Sequence, residues 1–454
     1  MRPRMLTFPV VAATFTVLLT PTLATAASFQ IQEQSASRLG TAFAGTASIA
    51  DDATTVFYNP AGMSQLEGGW LIAGASAIRP VADFNNQGSI NALGAPLTGS
   101  AGEIDDSHFV PHVYYVQPLT DEWTFGLGFN APFGLASDWD NDWIGRYHAT
   151  ESDLAVININ PTFAYEVTDR FAVGFGINYQ RIDATLENAV DSFAACTGAT
   201  GNAAGCIGGA FGAPLAPAGL SQDSHATIEG DDSGFGIDLS LFWQLSDRSN
   251  LGVLWRQGID FTLEGSADFD LSSACAANAG CSGALAALEG GIEAEVQLPD
   301  TVTVSLSHRL DDQWALHGDI AWTRWSSIQE VAIVNTGNGA TVSTLELNYD
   351  DTMRYALGVT YEPGTPWTWR AGIAFDEAPQ TDPDFVTPRI PDADRQWVAV
   401  GLSYAFSDNY SVDAAYAHLW VEDTAVNRLE QGNTLIGGFE SSVDILALSA
   451  TWRF

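Results

Sequence analysis

From residue 69 onward the chain alternates apolar and small or polar positions with a period of two. Trp123, Phe125, Leu127 and Phe129 interleave with Thr124, Gly126, Gly128 and Asn130. Phe171, Val173, Phe175, Ile177 and Tyr179 interleave with Ala172, Gly174, Gly176, Asn178 and Gln180, and Val398, Val400, Leu402, Tyr404 and Phe406 repeat the pattern near the end. Such alternation predicts strands with one apolar face, but a soluble sandwich would show it too. The connections decide. Long or polar links near 80–106, 134–151, 188–226, 267–291, 336–341, 378–394 and 423–441 alternate with compact turns. Those turns are Leu119-Thr120-Asp121, Thr168-Asp169-Arg170, Ser246-Asp247-Arg248, Leu310-Asp311-Asp312, Glu362-Pro363-Gly364 and Ser407-Asp408-Asn409. Long loops at one end and short turns at the other predict an all-β transmembrane barrel of about 14 antiparallel strands.

In hydrocarbon an open sheet edge is not viable, so the sheet must close. A barrel of that size encloses more space than its own side chains fill. The stretch from Ser35 to Met63 is Gly/Ala/Ser-rich and nearly aperiodic, with no apolar face on which to fold alone. It is expected to be a plug inside the lumen, spanning 27–66, with the barrel over 67–454. Ahead of it stand Arg2 and Arg4, an apolar run from about Leu6 to Leu19, and Ala24-Thr25-Ala26. These read as a secretory signal over 1–26, too short an apolar run to span a bilayer as a helix.

Composition narrows the functions. The 17 basic residues, all Arg, face 55 acidic ones, so no nucleic-acid partner is expected. The acidity fits a cation-favouring lumen, acidic surface loops or adaptation to salty water. Seven scattered His show no pairing with a nucleophile, so no enzyme, cofactor or metal site is expected. The cysteines fall into two local pairs, Cys196-Cys206 and Cys275-Cys281, each in a Gly/Ala-rich insertion without C-x-x-C. Disulfides in an oxidising compartment are expected. An aqueous porin is the alternative from another class, but the plug speaks against it.

Several motifs resemble one family. They are Ala27-Ser28-Phe29-Gln30-Ile31, Leu39-Gly40-Thr41-Ala42-Phe43-Ala44-Gly45, Ala50-Asp51-Asp52-Ala53 and Asn59-Pro60-Ala61, with strand echoes at 125–135, 369–376 and 390–395. In that order they resemble the FadL/TodX outer-membrane transporters of long-chain fatty acids and aromatic hydrocarbons. The resemblance implies a monomeric 14-stranded barrel with an N-terminal hatch, carrying Phe29, Asp51, Asp52, Asn59, Pro60 and Ala61. It implies passive uptake of hydrophobic small molecules, most directly fatty acids or else neutral aromatic hydrocarbons, with sideways release into outer-membrane lipid at a kink in strand three. The alternating final strand ending in Phe454 resembles the signal read by the barrel-assembly machinery.

Within that scheme Asn130, Ala131, Pro132, Phe133 and Gly134 are the expected lateral gate, because Pro132 cannot donate a ladder hydrogen bond and Gly134 weakens the pleat. Phe193, Phe211, Leu215, Leu285 and Leu288 make the cysteine insertions apolar for surface loops, and are expected to capture substrate. Ile207 and Leu220 add to the first insertion. Parity turns Arg256, Arg354 and Arg370 inward, as candidate ligands for a substrate carboxylate or as balances for inward Asp and Glu, and Arg181 outward. The family's fatty-acid carriers place basic residues on strands five and ten; Leu186 and Asp350 stand near those positions here, leaving neutral hydrocarbons open.

Overall fold

The computed structural model describes residues 28–216 and 222–454; the expected signal segment 1–26, Ala27 and Leu220 lie outside the described residues. Fourteen antiparallel strands form a closed barrel. They are β1 (Trp70–Asn86), β2 (His108–Pro118), β3 (Trp123–Asp138), β4 (Glu151–Thr168), β5 (Phe171–Val190), β6 (Ser224–Ser246) and β7 (Ser249–Arg256). Then follow β8 (Thr301–Arg309), β9 (Trp314–Thr323), β10 (Thr352–Tyr361), β11 (Trp367–Asp376), β12 (Arg395–Ser407), β13 (Tyr410–Val421) and β14 (Asn433–Arg453). Closure comes from β1 and β14, paired from Trp70–Arg453 to Asn86–Gly437.

The six compact turns fall between consecutive strands, at the end where aromatic pairs gather. Trp123 lies 4.8 Å from Tyr165, Trp314 4.3 Å from Tyr361 and Trp367 4.5 Å from Tyr404, ring centre to ring centre. Partly exposed rings at one level are an interfacial girdle. Between the ends, Leu127, Phe129, Ile157, Ile159, Phe175 and Ile177 are exposed on the outer face, where lipid replaces water.

At the other end the sheet runs further than the sequence pattern suggests. β1 continues to Asn86, and the expected link 423–441 is mostly a hairpin, Thr424–Glu430 against β14. Segments Asp260–Asp270 and Gly290–Gln297 likewise extend β7 and β8 above the wall. Outside the bilayer both faces of a strand tolerate polar residues, so the period-two signal fades while the ladder continues.

Residues 28–67 lie inside the barrel. This hatch is built from short turns of helix at Ala36–Leu39 and Thr55–Tyr58 and a 3-10 turn at Pro60–Gln65. Glycines on the lumen face make room for it: a Cβ on Gly252 would strike the Ala47 carbonyl, and one on Gly372 would strike Thr41. The small residues that alternate along the strands are therefore the seat of the plug. Polar ties reinforce it, with the Ala47 amide donating to Ser305 Oγ at 2.9 Å and Thr46 Oγ1 to Asp319 at 2.6 Å.

Candidate functional site

The hatch motifs are fasteners. Asn59 Nδ2 donates to the Ala47 carbonyl (2.5 Å) and to the Leu241 carbonyl on β6 (3.0 Å), while its Oδ1 accepts from the Ala61 amide (3.1 Å). Pro60 opens the 3-10 turn, where its missing N–H costs nothing. Asp51 and Asp52 converge on the buried Arg38 at 2.5 and 3.3 Å. Burial pushes the Asp51 carboxyl up, but Arg38 and then Arg370 overcome this and hold it down at about 2.

Arg256, Arg354 and Arg370 turn inward, each toward a carboxylate of the wall: Asp238, Asp376 and Asp413. Arg256 donates to Asp238 (3.0 Å) and to the Phe57 carbonyl (2.7 Å). Arg354 donates to the Ala42 carbonyl (2.8 Å), which belongs to a pair of residues, Ala42 and Phe43, at φ +50° and +56°. Arg370 bonds Ser403 and lies 3.6 Å from Asp413. All three bind hatch or wall, and none lines the large cavity described next. Arg181 faces outward as expected, in ion pairs with Asp183 and Asp231 at 2.9 and 3.0 Å.

That cavity, of about 880 Å³, lies above the hatch. Its walls are Leu154, Ile182, Leu186, Ile292, Ile333 and Leu345; Phe29 of the hatch is at its floor. The cysteine insertions roof it. Cys196–Cys206 and Cys275–Cys281 are disulfide-bonded, and the Ala213 amide donates to the Ala277 carbonyl at 3.0 Å, joining the two loops. Phe193, Leu285 and Leu288 face the cavity. Phe211 and Leu215 instead pack around the disulfides, so they brace the roof rather than line the pocket.

Two cations at the rim were missed by sequence reasoning: Arg389, in the segment between β11 and β12, and Arg428, in the outer hairpin. Arg428 is paired with Glu430 at 2.5 Å. Arg389 is held only by neutral acceptors, the Glu151 and Glu187 carbonyls (3.1 and 3.3 Å), Ser152 Oγ (3.0 Å) and Asn188 Oδ1 (3.2 Å). Among the described residues it has no carboxylate partner. Burial, helped by the repulsion of Arg428, pulls it down to about 10 against the opposing pull of Glu430, so it is still a cation at neutral pH. Of the two positions compared with the family's basic residues, Leu186 lines the cavity and Asp350 lies outside it.

Beside this pocket the wall loses its continuity. β2 and β3 pair from Pro118–Thr124 only as far as Val113–Phe129; beyond that, β2 pairs with β1 alone. Ala131 and Pro132 form a bulge against β4, with Asn130 opposite Asn158 and Phe133 opposite Val156. One extra residue switches the inward face of β3 from even to odd positions, turning Phe133 and Leu135 toward the lumen.

The hatch occupies the edge that β2 has left. The Ile31 amide donates to the Pro132 carbonyl (2.9 Å), and the Gly134 amide to the Phe29 carbonyl (3.0 Å). Gln34 Nε2 donates to the Ala131 carbonyl at 2.6 Å. Phe29 sits against Phe133 and Trp325, ring centres 6.0 and 4.9 Å away. On the abandoned edge of β2, Pro111 also lacks an N–H, and Phe109 is 74% exposed.

The family model described as outer membrane protein transport protein (OMPP1/FadL/TodX) matches residues 17–454. A long-chain fatty acid transport protein of Escherichia coli (strain K12) is 30% identical over 432 residues, covering 90% of this chain and 92% of its own. The crystal structure of a Pseudomonas aeruginosa FadL homologue superposes with a TM-score of 0.85 at 24% identity, covering 94% of this chain and all of that one. The P. putida toluene transporter TodX superposes at 0.69 with 17% identity, covering 95% and 99%.

Proposed function

The chain belongs to the OMPP1/FadL/TodX family of outer-membrane transport proteins, and from that membership we propose passive uptake of long-chain fatty acids with lateral release at β3. Transport of hydrophobic compounds across the outer membrane is the family's work, and its members are transporters rather than enzymes. The observation that carries the lateral route is the unpaired seam between β2 and β3, next to the apolar cavity and stopped on its inner side by Phe29, Gln30 and Ile31. A long alkyl chain gains ~0.8 kcal/mol per CH₂ on leaving water. A path from pocket to bilayer through the seam never returns it there, so no energy source is required.

Arg389 favours an acid over a neutral hydrocarbon. A buried guanidinium without a counter-charge is costly unless the ligand supplies one, and a carboxylate does so with charge-assisted hydrogen bonds. The curated relative named as a fatty acid transporter agrees with this substrate class. The roof of the cysteine loops is the entry side, with Phe193, Leu285 and Leu288 receiving the chain.

The test removes the bulge. Deleting Ala131 and replacing Pro132 with Val restores strict alternation and a donor on β3, so β2 and β3 can pair through the seam. In vesicles carrying a quencher lipid, this variant should bind a fluorescent fatty acid normally but deliver it to the bilayer far more slowly. Delivery at the parent rate would exclude lateral release.

A further inference from the structure

At and below the bulge the lumen wall carries a belt of polar side chains that capture and pocket binding do not use. His112 on β2, Asn130 on β3, Asn158 and Asn160 on β4, and Asn178 and Gln180 on β5 are all inward and at most 2% exposed. Asn158 Nδ2 donates to Asn130 Oδ1 (3.2 Å) and to Asn178 Oδ1 (3.0 Å). Asn160 Nδ2 donates to the Ile177 carbonyl at 3.1 Å.

That leaves seven buried atoms without a partner: Nδ2 of Asn130 and Asn178, Oδ1 of Asn158 and Asn160, Oε1 of Gln180, and both ring nitrogens of His112. Only a few such groups are normal per hundred residues, and here they share one belt. Its edge is the seam itself. Asn130 is the last residue of β3 before the bulge, and continuing the β2–β3 register would set it opposite His112.

The unmatched groups are both donors and acceptors, and the charges beside them are taken. Asp238 is bonded to Arg256 at 3.0 Å, and Arg256 is also bonded to the Phe57 carbonyl. A carboxylate only accepts; here it would leave the acceptors unmatched and bury a charge with no free cation. A carboxylic acid or an alcohol both donates and accepts. We propose that this belt is a transit subsite for the neutral, hydrogen-bonding head group of an amphiphile leaving through the seam. A fatty acid leaving Arg389 as its carboxylate takes one proton from hydronium of the bulk solvent, giving COOH and water, so its head carries no charge into the bilayer.

The inference rests on the lateral route proposed above. Its test uses the full chain in vesicles and three probes of equal length: palmitic acid, hexadecanol and hexadecane. Gln180→Met keeps volume and removes the unpartnered Oε1; Asn158→Leu removes the centre of the belt. Both variants should slow delivery of the acid and the alcohol by about tenfold, the worth of one or two hydrogen bonds. Both should leave hexadecane delivery and pocket affinity unchanged.

If acid and alcohol move at the parent rate in both variants, the belt holds water only and the proposal fails. If all three probes slow equally, the belt is structural and the proposal again fails. The variant lacking the bulge separates this from the lateral route. Should it deliver all three probes at the parent rate, the route is wrong and the subsite falls with it; should it stop all three while the belt variants do nothing, only the subsite falls.

Discussion

The amide of Gly134 on the third barrel strand donates to the carbonyl of Phe29 in the hatch at 3.0 Å. A residue near the start of the described chain thus takes the place of a neighbouring strand in the wall. With the Ile31 amide on the Pro132 carbonyl, it supplies the backbone partners that β3 lacks at the seam, and the proposed lateral route requires this segment to give way.

Phe29→Ala should loosen that segment. The ring fills the space between Phe133 and Trp325, and emptying such a site costs about 3 kcal/mol or more. Amide exchange at Ile31 and Gly134 should quicken by at least an order of magnitude, while amides deep in the β5–β6 pair stay protected. Unchanged exchange at Gly134 would show that Phe29 does not hold the segment.

Glu33, in the same segment, should make docking depend on pH. Burial pushes its carboxyl up to about 7; its own backbone N–H, Arg395 and Arg354 oppose this, and Asp376 adds to it. An acid with a raised pKa in the docked state stabilises that state fully below its ordinary pKa of about 4.5, and this contribution is lost as pH rises through about 7. The Ile31 amide should therefore lose protection, beyond the intrinsic rate change, as pH rises from about 4.5 to about 7, and level off above that. Glu33→Gln should flatten the profile; an identical profile in that variant would assign the dependence elsewhere.

Arg389→Met should separate acid from hydrocarbon recognition. Losing the only unpaired cation found on the described cavity wall should weaken palmitate binding roughly 10- to 100-fold, the scale of a charge-assisted hydrogen bond. Methyl palmitate should bind as before. An equal loss for the ester would make Arg389 a packing residue.

Gly252→Val tests the seat of the plug. A Cβ there meets the Ala47 carbonyl, so the hatch cannot settle, and single-channel conductance in planar bilayers should rise. Conductance equal to that of the parent would mean the hatch does not block the lumen at this point.

Much of this was legible in the sequence because membrane physics leaves few choices. A strand such as 171–180 must alternate, a turn such as Thr168-Asp169-Arg170 must be short on one side, and both were readable. The inward parity of Arg256, Arg354 and Arg370 was readable as well. Their partners were not: Phe57 and Ala42 offer backbone carbonyls in an aperiodic segment, and parity says nothing of what faces a side chain across a lumen. Arg389 was hidden because it sits on an irregular segment where no period applies. The available signal was its place directly before Ile390-Pro391-Asp392, in a chain with few basic residues. The bulge at Pro132 was visible as a broken pattern, but its occupation by Phe29, Gln30 and Ile31 depends on contacts a hundred residues apart.

The most direct test of lateral release is to trap the substrate while it leaves. A long-chain fatty acid with a diazirine along its tail can be loaded into the protein in vesicles and flashed during delivery. The account predicts adducts on Phe109 and Val110, on the edge of β2 that borders the seam, alongside those in the cavity. Adducts on Gln65 and Glu67, at the exposed end of the hatch next to β1, with none at Phe109, would mean the chain passes straight down the lumen and would contradict it.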